Sequence, residues 1–108
     1  MSLAEQKCVP CEGGTPPLDQ AAIEMNLAAV PGWQHSGNTI KRDLKFKDFV
    51  EAMAFVNQVA AIAEAEGHHP DLALSYNQLT ITLSTHAIGG LSVNDFIVAA
   101  KINKLCSA

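Results

Sequence analysis

The apolar residues of this chain change period twice between residues 33 and 84, and that switch limits the folds open to it. From Trp33 to Phe46 they alternate. Ile40, Leu44 and Phe46 point one way and Lys41, Asp43 and Lys45 the other, the two-residue repeat of a strand. Ser36-Gly37-Asn38 supplies turn chemistry, so residues 33–46 read as a hairpin. From 48 to 67 the spacing is helical. Phe49, Met53, Val56, Ala60 and Ala63 form one apolar row, and Ala52, Phe55, Val59 and Ile62 widen it. Asp48 and Glu51 stand at capping-box spacing, and Gly67 is the stop. Alternation then returns: Leu72, Leu74 and Tyr76 against Ala73 and Ser75, then Leu79, Ile81 and Leu83 against Thr80, Thr82 and Ser84, with Asn77-Gln78 as the turn. Two hairpins interleaved with helices predict an α+β fold: a four-stranded antiparallel sheet with about three helices packed on one face. The other face, polar and open, carries the hydroxyl row and His86, and a site is expected there.

The flanks complete the plan. Thr15-Pro-Pro-Leu-Asp opens a first helix whose apolar face is Leu18, Ala22, Met25 and Ala29, and Pro31-Gly32 ends it. Ser92 caps the last helix, with Leu91 and Phe96 at hydrophobic-staple spacing and Asp95 at the third helical position. Lys101 and Lys104 suit its closing turns. Residues 1–14 are polar, end in Gly13-Gly14 and read as a flexible arm, leaving 15–108 as a single domain. Trp33 fits either a pocket for a planar ligand or an anchor at the core edge.

Composition excludes several functions. A chain of 108 residues is one domain with room for a hydrophobic core. A net charge of −4 argues against a nucleic-acid surface. No apolar run approaches the roughly 20 residues of a membrane span. Met-Ser-Leu-Ala-Glu-Gln-Lys-Cys lacks a signal-peptide core, and three cysteines do not pair off. A soluble cytoplasmic protein without membrane or nucleic-acid partners is expected. Cys8-Val-Pro-Cys11 has the spacing of half a zinc knuckle or of a redox pair, but no second pair follows and no strand–helix junction holds it. An incidental or locally structural role is favoured.

Chemistry concentrates between Glu64 and Asp95, which holds His68, His69 and His86 of the four histidines. His68 and His69 emerge past a helix C-terminus, where the dipole favours imidazolium by roughly 0.3–1 kcal/mol. Pro70 holds the pair extended. Adjacent side chains in extended backbone diverge, and no His-x-x-x-His is present, so the pattern disfavours a metal site. No Gly-x-Ser-x-Gly elbow supports a serine nucleophile, and Ser84 precedes His86 on a plain strand. Singly, each histidine reads as an ordinary polar residue at a strand end, Glu64 as a solvated helix residue and Asp95 as a cap. Together, three groups titrating near neutrality suit proton transfer.

The spacing of the set carries a resemblance. Glu64, three residues, His68-His69-Pro70, five residues, Tyr76, nine residues, His86, eight residues and Asp95 is similar to the signature of the pterin-4a-carbinolamine dehydratases. Cys11-Glu-Gly-Gly, Pro31-Gly32-Trp33, Ser84-Thr85-His86 and Gly89-Gly90-Leu91 extend the likeness over most of the chain. The resemblance implies a homodimer or homotetramer that binds a small pterin and expels water from 4a-hydroxytetrahydropterin, giving quinonoid dihydropterin and recycling the cofactor of aromatic amino acid hydroxylases. It implies no metal or redox cofactor. It makes His68 and His86 the acid–base pair and has His69 bind and position the pterin. Glu64 and Asp95 would orient the rings, while Pro70, Ser84 and Thr85 shape the pocket. One departure stands out: many relatives carry an acid directly after the third histidine, where this chain has Ala87-Ile88. That makes Asp95 the first candidate to orient His86. The alternatives are a dimerisation partner of a homeodomain transcription factor, using the apolar face of 49–63, and a related dehydration in molybdopterin metabolism.

Overall fold

The two alternating stretches pair through their second strands. In the computed structural model, which describes residues 3–8 and 16–106, β1 (Gln34–Ser36) and β2 (Thr39–Lys45) form one hairpin, and β3 (Asp71–Ser75) and β4 (Gln78–Leu83) the other. β2 lies against β4, so the order is β1-β2-β4-β3 and every pairing is antiparallel. The register sets Ile40 opposite Leu83 and Leu44 opposite Leu79, which puts the predicted apolar rows on one face. Ile40, Leu79, Ile81 and Leu83 are buried there against α2 (Phe49–Glu66) and α3 (Val93–Cys106). The opposite face stays polar, with Thr80 donating to Asp43 across the strands at 2.7 Å. The expected α+β architecture is the one observed.

α3 is the central helix. Asn94 through Ala100 are buried without interruption, because the sheet, α2, α1 (Gln20–Ala28) and the segment 3–8 surround it. That segment makes a short 3-10 turn at Leu3–Glu5 and packs Leu3, Ala4 and Cys8 against the core. Asp19 caps α1 by accepting from the Ala22 amide, and Asp48 caps α2 through the Glu51 amide, each at 2.9 Å. The Glu51 carboxylate returns to the Lys47 amide, one residue earlier than a reciprocal capping box requires. Trp33 is the core anchor of the two readings: it is buried and donates its Nε1–H to Asn103 of α3 at 2.8 Å.

Three local expectations change. The inward face of α1 is Ile23 and Leu27, continued by Val30 past its end; of the expected row Leu18 packs against the core, but Met25 is 76% exposed. Both rows have helical spacing, and only the position of α3 selects between them. On α2 the buried row is Ala52, Phe55, Val59 and Ala63, whereas Phe49 is half-exposed. The β3–β4 turn falls on Tyr76-Asn77, one residue earlier than expected. Tyr76 sits there at φ +53°, and the Asn77 amide side chain donates to the Phe46 carbonyl at 3.0 Å. Asn77 is thus tied to the residue that follows β2, and the turn follows that tie.

Candidate active site

Gly67 ends α2 in the left-handed region, at φ +66°, where a side chain would strain the backbone. The chain reverses there and delivers His68 to the start of α3. At the other side, β4 ends at Leu83, Thr85 bridges to Gly90, and His86 opens a 3-10 turn, His86–Ile88. Gly90 is required by close approach, since a Cβ there would meet Pro17 at 2.8 Å. His86 therefore does not continue the outward face of β4 as expected. The strand breaks first, and the turn swings residue 86 toward the His68 corner.

Between these two corners lies a cleft of about 530 Å³, lined by His68, His69, Ser84, Thr85 and His86, with Glu66, Gly67, Ala87, Asn94 and Cys8 completing its wall. No residue of β1 to β4 lines it. The site thus lies at the end of the sheet rather than over its open face, because helix and strand termini deliver the polar side chains there. A larger cavity, about 680 Å³ beside the end of α3, has neither histidine nor acid among the described residues that line it; size does not pick the site. Among the described residues no group of three or more His, Cys, Asp or Glu is placed to hold a metal ion. Cys11 lies outside them.

The core of the site is a buried carboxylate. Asp95 is fully buried, and its Oδ1 lies 2.6 Å from His68 Nε2. Its Oδ2 accepts from the Thr85 hydroxyl at 2.8 Å and from the Ser92 amide at 3.0 Å. The proton directions follow. Thr85 spends its hydrogen on Asp95, so the Ser92 hydroxyl donates to Thr85 Oγ1 at 2.8 Å and Ser92 Oγ accepts from the Asn94 amide. An ionised carboxylate has no hydrogen to give and accepts at both oxygens. The network therefore assigns the ring proton of His68 to Nε2, and the neutral ring keeps its lone pair on Nδ1. Such a ring takes a proton at Nδ1 and becomes an imidazolium held against an anion. The expected partnership of Asp95 with His86 is overturned. As the third residue of α3, Asp95 points its side chain back over the helix N-terminus, and His68 occupies that spot. No described residue hydrogen-bonds the His86 ring, and Ala87 supplies no acid.

The second pair is outside. His69 Nε2 lies 2.5 Å from Glu64 Oε2, with the two side chains 59% and 78% exposed. Pro70 is half-buried but does not line the cleft, and Tyr76 is 63% exposed at the distant hairpin turn. The cleft residues that sequence reasoning missed are Glu66, Gly67, Ala87, Asn94 and Cys8. The first four lie within two residues of expected ones along the chain. Cys8 had no such signal, since it reaches the wall only by folding back across α3. Burial, then the Glu66 charge, pushes the Cys8 thiol up to about 12. The Cys8 amide bond, with help from Lys101 and Lys7, holds the Glu66 carboxyl below its ordinary range despite its own burial.

Comparison with known proteins agrees with this arrangement. The sequence profile described as pterin 4 alpha carbinolamine dehydratase matches residues 16–105. This chain belongs to the pterin-4-alpha-carbinolamine dehydratase family. Relatives provisionally named as such dehydratases include one from Nitrosospira multiformis, 50% identical over 95% of this chain and 91% of its own. Another, from Nitrosomonas eutropha, is 51% identical over 95% and 92%. A crystal structure from Brucella melitensis, described as a transcriptional coactivator/pterin dehydratase, superposes with a TM-score of 0.79 at 36% identity, covering 82% of this chain and 97% of that one. A pterin dehydratase-like RuBisCO assembly factor of the alpha-carboxysome shares the fold, with a TM-score of 0.59 at 22% identity over 70% of this chain and 88% of its own. No helix among the described residues of this dehydratase-family chain is long and apolar enough to cross a membrane.

Proposed function

We propose that this chain dehydrates 4a-hydroxytetrahydropterin to quinonoid dihydropterin by histidine acid–base catalysis, acting in the cytoplasm as a homo-oligomer that recycles a hydroxylase cofactor. The observation that carries the reading is the shared cleft: His68 and His86 come from segments 18 residues apart, yet both line it, and only His68 is backed by a buried anion. The N5 lone pair expels the C4a hydroxyl, which leaves as water once protonated, and the N5 proton is lost. His68, with Nδ1 free and Asp95 ready to stabilise the imidazolium, suits removal of the N5 proton. His86, partly in solvent and without a carboxylate, suits delivery of a proton to the leaving oxygen. His69, held by Glu64 at the rim, binds and positions the ring, and Ser84 and Thr85 shape the wall. A cleft of about 530 Å³ suits a bicyclic ligand, since small-molecule sites run from about 300 to 1,000 Å³.

Stopped-flow dehydration kinetics test this. His68→Ala and His86→Ala should each lower turnover about 10²–10⁴-fold, the range of one positioned proton transfer, and the double variant should be nearly inactive. His69→Ala should chiefly raise KM. Full activity in the double variant rules the assignment out.

A second reading is a protein-binding role. The Brucella melitensis relative is described as both coactivator and dehydratase, and here Phe49 and Val50 stand 48% and 76% exposed at the start of α2. A stable heteromer lost in Val50→Asp, from a protein without dehydratase turnover, would favour it.

A further inference from the structure

The cleft has one wall that comes from outside the catalytic segments. Cys8 lines it together with the two catalytic corners, and residues 3–8 reach that place by running along α3. What holds them is specific. The Glu66 side chain, 10% exposed, accepts the Cys8 backbone amide at Oε1, 2.8 Å away. Its other oxygen lies 3.8 Å from Lys101 Nζ, and the same ammonium donates to the Ala4 carbonyl at 2.8 Å. The Cys8 thiol faces the Asn94 carbonyl at 3.7 Å, inside the cleft wall. Glu66 and Lys101 thus grip the segment at both ends. Glu66 itself stands one residue before Gly67 and two before His68, so a single helix terminus positions both the amino-terminal wall and the catalytic ring.

We propose that Glu66 is a positioning residue for substrate binding: by anchoring the Cys8 amide it closes the amino-terminal segment over one side of the pterin cleft. The inference rests on the dehydratase reading of that cleft. The bond uses the backbone of residue 8 and not its thiol, so the position matters more than the cysteine. A wall that contacts the bound ring and not the reacting protons affects ground state and transition state alike, and its loss appears in KM with kcat preserved.

The test is steady-state dehydration kinetics on the full chain with Glu66→Ala, Glu66→Gln and Cys8→Ala, each checked for folding by circular dichroism. Glu66→Ala should raise KM about ten-fold, the order expected for losing one buried hydrogen bond to a charged acceptor, with kcat within about two-fold. Glu66→Gln keeps an acceptor oxygen for the amide and should recover most of the affinity. Cys8→Ala keeps the amide bond and trims only the side chain on the wall, so it should raise KM by less than Glu66→Ala does. A matching activity-free readout is the alkylation rate of residue 8 by iodoacetamide, followed by peptide mass spectrometry. It should be slow in wild type, where the thiolate is suppressed, and faster in Glu66→Ala. An unchanged KM in a folded Glu66→Ala protein overturns the proposal. So does a fall in kcat at constant KM, which would place Glu66 in the chemistry through His68. If wild-type protein neither turns over nor binds 7,8-dihydrobiopterin by calorimetry, the dehydratase reading itself fails and this proposal goes with it. Binding that weakens in Glu66→Ala without turnover in any variant would retain the wall and remove only the reaction.

Discussion

Two imidazole–carboxylate pairs flank the cleft, with nearly equal distances and opposite surroundings. His68–Asp95 spans 2.6 Å with its carboxylate fully buried; His69–Glu64 spans 2.5 Å with both partners largely in water. Distance alone would rank them together. Coulomb attraction and hydrogen-bond strength rise as the local dielectric falls, while water and salt screen an exposed pair to between zero and about 1 kcal/mol. The buried carboxylate is also shared: it accepts from His68, Thr85 and Ser92. The exposed one has only its ring. The first pair can set a tautomer and hold an imidazolium, and the second can steer a ring at the rim. The two pairs thus differ in the environment of each carboxylate rather than in its distance.

The same substitution in both places tests that contrast. Asp95→Asn should have the largest effect. It replaces an acceptor by a donor amid three donors and discharges a buried pair, costing about 3 kcal/mol of stability in urea unfolding. It should also lower turnover roughly 10²-fold, the lower end for one proton transfer. Next comes Thr85→Val, which keeps the shape but removes a donor to Asp95 and the acceptor for the Ser92 hydroxyl. A loss of about 1–2 kcal/mol is expected, with a smaller drop in turnover than for Asp95→Asn. Glu64→Gln should be smallest, under about 0.5 kcal/mol in stability and confined to KM. Raising the salt to 1 M should erase the Glu64→Gln difference and leave that of Asp95→Asn standing. Equal effects at the two carboxylates, or a salt-sensitive Asp95, would break the comparison.

Much of this site could be read from local spacing. Glu64, His68 and His69 follow from a helix that ends at Gly67, and Ser92 with Asp95 from a capped helix start, because each signature lies within a few residues of chain. The errors share one cause. Ala22-Met25-Ala29 and Ile23-Leu27-Val30 are both acceptable helix faces, and only packing in the core chose the second. Asp95 could have served His68 or His86, since either lies many residues away along the chain. Alternation continued from Thr82 and Ser84 puts His86 on a strand face, but the strand ends at Leu83. Tyr76 keeps the family's spacing yet stands exposed at a hairpin turn, away from the cleft.

By itself, the sequence determined which segments are helix and strand, which face of the sheet is apolar, and where along the chain the titratable side chains cluster. These depend on periodicity, caps and breakers, whose energetics act within a turn or two of chain. Tertiary structure alone decided that Asp95 answers to His68, that the site opens at the end of the sheet, and that residue 8 belongs to its wall. Those outcomes depend on which distant groups share a water-free space, and burial of that kind exists only once the helices have docked on the sheet.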